Sequence, residues 1–222
     1  LTFKQLGYKY IVQSQNILEN NVIYGNLLIS KIPFKNQDII DISLENYQEK
    51  HACIHIELDS NIHIFGTHLD AIDNSDITRT IQLENIFRKI NSIDSPNIIL
   101  LGDLNLLYKQ QLTPEQWNLQ IKYDKHRNVE TKSNAINTII NNNFVDSFDL
   151  LNKKPPSLTC CYDRRVDYIF IKKNHKLEIL DTQDIISNVS DHYPLIIDLK
   201  IPESKIKNLF DIIYCYYIKT FI

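Results

Sequence analysis

Asn97-Ile98-Ile99-Leu100-Leu101-Gly102-Asp103-Leu104-Asn105 is the stretch whose reading decides the fold of this chain. Four consecutive aliphatic residues leave no polar side for solvent, which suits a short strand buried on both faces better than an amphipathic helix. Gly102 closes the run, and glycine permits either a turn or the close approach of another group. Asp103 and Asn105 follow two residues apart, so continued extension predicts both side chains on one face. A carboxylate and a carboxamide delivered together from the end of a buried strand suit orienting a water and holding a phosphoryl oxygen. Gly-Asp-x-Asn is equally ordinary turn chemistry, so the stretch takes its meaning from polar clusters elsewhere.

Composition narrows the partners. The 222 residues fit one compact domain with ample isoleucine and aromatics for its core. A formal net charge of −3 and a pI near 6.2 argue against a broad electrostatic grip on duplex DNA. A phosphate-bearing substrate would instead be held locally, by a metal ion and a few donors. Cys53, Cys160, Cys161 and Cys215 lack zinc-like spacing, and the adjacent pair bridges poorly to itself. An intracellular reducing compartment, cytoplasmic or nuclear, is expected rather than secretion. The sequence contains no methionine, even at position 1, which reads as a fragment or processed product.

Working outward, Gly7 to Val12 and Val22 to Lys31 read as strands. His51 to Leu58 and Asn61 to Leu69 read as a hairpin turning at Asp59 and Ser60, with His68 emerging at its end. A helix is predicted from Asp76 to Ile93, with Ile77, Ile81, Phe87 and Ile90 on its apolar face and Ser75 as a cap. Thr113, Pro114 and Gln116 form a capping box at the start of a helix carrying Trp117. A further helix from Ser133 to Ile140 stops at Asn141 to Asn143, where one residue can take a left-handed cap. Val166 to Ile171 and Pro194 to Ile201 complete the strands. Strands and helices in this irregular order predict an α+β sandwich. The domain is placed at 1–201, with 202–222 an apolar, aromatic tail too short and too interrupted by charge to span a membrane.

Three more polar clusters join Asp103 and Asn105: Thr67-His68-Leu69-Asp70, Arg165-Val166-Asp167-Tyr168 and Ser190-Asp191-His192. With Gly25-Asn26-Leu27-Leu28-Ile29-Ser30 and the Arg79 and Gln82 pair, this ordered set resembles the endonuclease/exonuclease/phosphatase (DNase I-like) superfamily from Gly7 to Leu199. In motif form it is closest to tyrosyl-DNA phosphodiesterase-like and generic nuclease members, since Tyr168 follows Asp167 where the phosphoinositide phosphatases have arginine. The resemblance implies a four-layer α/β/β/α sandwich of two packed mixed sheets and a magnesium-dependent phosphodiesterase site, with manganese as an alternative ion. Asp103 then orients or deprotonates the attacking water, and Asn105 holds phosphate or metal-bound water. Asp191 ligates the metal, His192 meets the scissile phosphate with Asp167 fixing its tautomer, and His68 is a second phosphate-facing histidine.

The family also carries a metal-binding glutamate, usually as Gln-Glu, before the Gly-Tyr segment, and an asparagine earlier still. This chain begins at Leu1, after both, so the first strand of the sandwich is expected to be missing. Substrate contacts are expected from Arg79 and from the segment after the catalytic turn, Leu107 to Arg127, above all Tyr108 and Trp117. The expected substrate is a phosphoester, with nucleic-acid ends or single strands foremost. The alternatives are a phospholipid or phosphoinositide phosphoesterase, or a binding module with impaired catalysis.

Overall fold

The structure is a computed structural model and describes residues 3–14, 17–19, 22–45, 50–73, 75–160, 163–188, 190–200 and 214–221. In chain order its strands and helices are β1 (Tyr10–Gln13), β2 (Ile17–Glu19), β3 (Val22–Ser30), β4 (Asn36–Asp41), β5 (Ala52–Leu58), β6 (Ile62–His68) and α1 (Ile77–Ile90). There follow β7 (Ile98–Asp103), α2 (Pro114–His126), α3 (Ile136–Asn141), β8 (Phe144–Asp146), α4 (Ser147–Leu150), β9 (Asp167–Lys172), β10 (Glu178–Asp184), β11 (Leu195–Lys200) and β12 (Tyr214–Phe221).

β7 lies inside a six-stranded sheet of order β4-β5-β6-β7-β9-β8, parallel to β6 and antiparallel to β9. Its aliphatic run is continuous because both faces are covered. Leu100 faces the same cluster as Phe65 and Phe170, packed under Leu83 and Ile86 of α1 and Ile139 of α3. Ile99 and Leu101 face the other way, with Ile54, Ile56 and Ile169, toward Val12 of β1, Leu28 of β3 and Ile197 of β11. That second β-layer is built from β1-β3-β12, with β2 also on β3, and from the β10-β11 pair. The result is the expected α+β arrangement of two β-layers packed face to face with helices outside.

Several expectations shift by a residue or a phase. Gly102 does not end the strand: it pairs with Thr67 on one side and Tyr168 on the other. A Cβ there would stand 1.9 Å from the Thr67 carbonyl oxygen, at φ +134, so the glycine serves close backbone approach. Extension stops at Asp103, because Asn105 takes a left-handed φ of 48 and donates its backbone N–H to Asp103 Oδ1 at 3.0 Å. Asp103 and Asn105 are therefore joined by an Asx turn, which corrects the expectation of one extended face. The first strand starts at Tyr10, since residues 3–7 form a turn with Gly7 at φ 92.

α1 is rotated from the expected face. Ile77 and Ile81 are 62% and 36% exposed, while Arg79, Gln82, Leu83, Ile86, Phe87 and Ile90 are buried. The face begins polar because Gln82 Oε1 accepts the Asp70 backbone N–H at 2.9 Å and Arg79 donates to the Asp70 carbonyl at 3.0 Å, tying the helix to the turn after β6. Asp73, rather than Ser75 alone, serves the helix start, accepting from the Thr78 backbone at 2.8 Å. α3 begins at Ile136 because Ser133 is held by the Leu107 carbonyl, 2.7 Å from its hydroxyl. The predicted left-handed stop is Asn143, at φ 66. The capping box at Thr113 forms as expected.

β4, β8 and β10 were not expected: β4 carries a polar, mostly exposed sequence at a sheet edge, β10 a largely polar sequence in a two-stranded pair, and β8 has only three residues. The tail forms β12, antiparallel to β3, with 201–213 and 222 outside the described residues. Among the described residues no helix is long and apolar enough to cross a membrane. Gly102→Ala should destabilise the fold by more than about 3 kcal/mol, because a strained φ and a clash with backbone arise together in the central strand. Denaturant unfolding reads this directly, and wild-type-like stability would contradict the reading of Gly102 as a close-approach position.

Candidate active site

Register alone brings three of the polar clusters together. In the β6–β7 pairing His68 stands beside Asp103, and in the β7–β9 pairing Asp103 stands beside Asp167. One row across three neighbouring strands thus reads His, Asp, Asp at a single end of the sheet. The fourth member comes from the segment before β11. His192 forms a bridge with Cys160, and the Tyr193 backbone N–H donates to the Thr159 carbonyl at 2.7 Å. Thr159 Oγ1 also accepts the backbone N–H groups of Val166 and Asp167, at 3.0 Å each, so one residue fixes both the start of β9 and the approach of His192.

His192 Nδ1 donates to Asp167 Oδ2 at 2.9 Å, which turns Nε2 toward Asp103 Oδ2, 3.8 Å away. His68 Nε2 lies 3.5 Å from the same oxygen on the other side. One carboxylate oxygen therefore sits between two imidazoles. The hydrogen bond to Asp167 holds the His192 imidazole above its ordinary range, at about 9, so it is a cation at neutral pH. Burial pushes the Asp103 carboxyl up to about 6, against the opposing pull of the two histidines. Asn105 lines the same cleft, one amide hydrogen held by the Leu69 carbonyl at 3.0 Å.

The remaining sequence candidates separate. Asp191 is exposed, accepts from Ser190 Oγ at 3.4 Å and adds its negative charge to the field on His192. Arg79 lines the cleft but is buried, its guanidinium engaged by Asp76 Oδ1 at 2.6 and 3.0 Å and by the Asp70 carbonyl. Tyr108 packs on the apolar cluster beneath α1, and Trp117 lies under Lys109 Nζ at 4.9 Å; neither is among the residues lining the cleft. Arg165, beside Asp167 in sequence, turns inward to pair with Asp146 at 2.7 Å and to cover Tyr168.

The cleft encloses about 470 Å³, and its lining includes Tyr123, Arg127, Lys132 and Arg164. Sequence reading placed Tyr123 and Arg127 in the right segment but favoured Tyr108 and Trp117. The capping box supplied the missing signal: it fixes the phase of α2, and six residues from Trp117 to Tyr123 turn the helix by about 240°. Asp103, Asp167 and His192 offer donor atoms within 4.8 Å of one another. Two carboxylates, one of them with its charge incompletely balanced in a buried setting, have the hard-oxygen chemistry that fits a divalent cation. His192, being protonated, is not a donor of that set at neutral pH.

No protein-family model and no curated protein sequence matches the chain. Solved structures do. The human Nocturnin catalytic domain, with bound sulfate, aligns at TM-score 0.57 and 17% identity, over 90% of this chain and 74% of that one. An endonuclease/exonuclease/phosphatase from Beutenbergia cavernae DSM 12333 aligns at TM-score 0.60 and 16% identity, over 90% of this chain and 55% of that one. The chain has the endonuclease/exonuclease/phosphatase (DNase I-like) fold. ANGEL2, a 2′,3′-cyclic phosphatase, aligns at TM-score 0.58 and 15% identity, over 88% of this chain and 74% of that one. At such identities the likeness is one of architecture, and the DNase I-like chain described above must be read for chemistry from its own strand ends.

If Asp167 raises His192 as the geometry indicates, Asp167→Asn should bring the imidazole down from about 9 toward its ordinary value of 6.5. Histidine-selective NMR titration of both proteins measures this. A His192 titration unmoved by the substitution would mean that the 2.9 Å contact does not govern its charge.

Proposed function

We propose that this chain is a divalent-metal-dependent phosphoric ester hydrolase, a phosphodiesterase acting on nucleic-acid ends or single strands. The observation that carries the reading is the Asp103 carboxylate held between two imidazoles, one kept cationic by Asp167. Phosphoryl transfer asks little covalent chemistry of a protein; it asks for a positioned water and for positive charge where negative charge develops. Asp103, ionised above about 6, accepts a proton from a water held with Asn105. The water oxygen bonds to phosphorus while the bond from phosphorus to the leaving oxygen breaks. His192 faces the developing charge on the phosphoryl group, and His68 donates to a second oxygen or to the leaving group.

A divalent cation, magnesium or manganese, would be held by the carboxylates of Asp103 and Asp167, with the exposed Asp191 adding negative charge from beside His192, and supplies Lewis-acid polarisation of the phosphoryl oxygen when bound. The DNase I-like fold supports the reaction class, and the names of two neighbours, a 2′,3′-cyclic phosphatase and an endonuclease/exonuclease/phosphatase, are in keeping with it. The low net charge supports a substrate held at a few points rather than along a duplex.

The test is hydrolysis by the full chain of oligonucleotides, 5′-tyrosyl DNA, sphingomyelin and inositol phosphates, with magnesium and after its chelation. Magnesium-dependent cleavage of the first two is expected, and no metal-dependent hydrolysis of any substrate would end the enzyme reading. Turnover should follow a bell-shaped pH profile. Activity falls below about 6, where Asp103 protonates and loses its basicity, and above about 9, where His192 loses its charge. His192→Ala should lower turnover on the order of 10²-fold and remove the alkaline limb. An alkaline limb that survives in His192→Ala would assign it to another group.

A further inference from the structure

The cleft lining contributed by α2 and the segment before β9 is as firmly built as the reactive row. α2 ends in a full turn-back: Asn128 takes a left-handed φ of 56, and the Val129 backbone N–H reaches the Asp124 carbonyl at 3.0 Å. This folds the chain over the cleft immediately after Arg127. Asp124 is buried, and its carboxylate pairs with the Arg164 guanidinium, which lies 4.5 Å from the centre of the Tyr123 ring. Arg164 belongs to the short loop whose Cys160 pairs with both Arg164 and His192. Backbone bridges through Cys160 thus connect Arg164 to the reactive imidazole, and the Arg164–Asp124 ion pair ties α2 to Arg164.

Within that wall the cations are not equivalent. Arg79 is engaged by Asp76, Arg164 by Asp124 and Lys132 by Glu130. Among the described residues Arg127 is the cleft-lining guanidinium or ammonium with no carboxylate within 4 Å; it is exposed and sits 5.8 Å from the Tyr123 ring centre. An aromatic face limits the freedom of a guanidinium without neutralising it, leaving the planar donor fork available to an anion. The cavity lies in the size range that holds a nucleotide-sized ligand.

We propose that Arg127, seated on Tyr123, binds a second, non-scissile phosphate, so that the cleft selects a single-stranded polynucleotide, in which each scissile phosphate is flanked by another. This rests on the hydrolase reading above and names the specificity element of that site. Arg127 and His192 line one cleft, so two phosphates of one strand can engage both, whereas an isolated phosphoester meets only one.

The experiment compares the full chain with Arg127→Ala and Arg127→Lys on a single-stranded oligonucleotide, which carries flanking phosphates, and on bis(p-nitrophenyl) phosphate, which carries none. Arg127→Ala should lower the ratio of kcat/KM, oligonucleotide to small ester, about tenfold through KM, the loss of one charge-assisted contact at a partly exposed site. Arg127→Lys should recover most of the ratio. The slope of log KM against log salt on the oligonucleotide should fall by roughly 0.7 in Arg127→Ala, the share of one phosphate on a single strand. An unchanged ratio overturns the subsite. A selective loss on inositol hexakisphosphate with none on the oligonucleotide overturns the assignment to a strand. Anisotropy of a labelled oligonucleotide bound to His192→Ala, with and without Arg127→Ala, reads the subsite without turnover. Weaker binding in the double variant supports it and equal binding overturns it, whereas absent hydrolysis of every substrate counts against the hydrolase reading alone.

Discussion

A carboxylate half-buried at the end of a central strand, without a complete counter-charge, is the constraint on which the rest of this molecule depends. The backbone position of Asp103 is fixed, because β7 is covered on both faces and Gly102 presses its backbone against Thr67. Leaving an ion there costs free energy, and the cost appears as a carboxyl that ionises only near 6. The two imidazoles beside it offset that cost in part. A group strained in this way has the basicity that moving a proton from water near neutral pH requires.

Sheet topology explains why the partners converge. β6, β7 and β9 end or begin at the same edge in register, so His68, Asp103 and Asp167 share one row without any loop having to place them. His192 is the exception. It arrives on a loop, and three devices hold it: the bridge to Cys160, the Tyr193 to Thr159 hydrogen bond, and the grip of Thr159 on the start of β9. Positions fixed by strands and by short backbone bridges give the pre-organisation on which electrostatic stabilisation of a phosphoryl group relies.

What the sequence disclosed follows from which signals are local. The run at 98–101, the 52–58 and 62–68 hairpin and the capping box at Thr113 are local patterns, and each formed where it was expected. The phase of α1 was misread because Arg79 and Gln82 are buried by bonds to the Asp70 backbone, a tertiary demand that apolar spacing does not report. The pairing of Asp167 with His192 spans 25 positions and was legible through the resemblance of ordered motifs, not through spacing. The cleft wall was not legible at all: it depends on the roll of α2 and on Asp124 meeting Arg164 across 40 positions. Tyr108 and Trp117 were favoured for their place after the catalytic turn; Tyr108 instead packs on the apolar cluster, and the roll of α2 carries Trp117 away from the cleft.

The central claim is that desolvation, against the opposing pull of two imidazoles, poises Asp103 as a base, and it is tested most directly by its own ionisation. Carbon-13 NMR titration of the aspartate carboxyls in the full chain, assigned by comparison with Asp103→Asn, measures it without reference to any substrate. The account predicts a midpoint of about 6, well above the ordinary carboxyl value of 3.8. A midpoint at or below 4 would mean that the carboxylate is solvated or fully paired, and would contradict its role at the centre of the site.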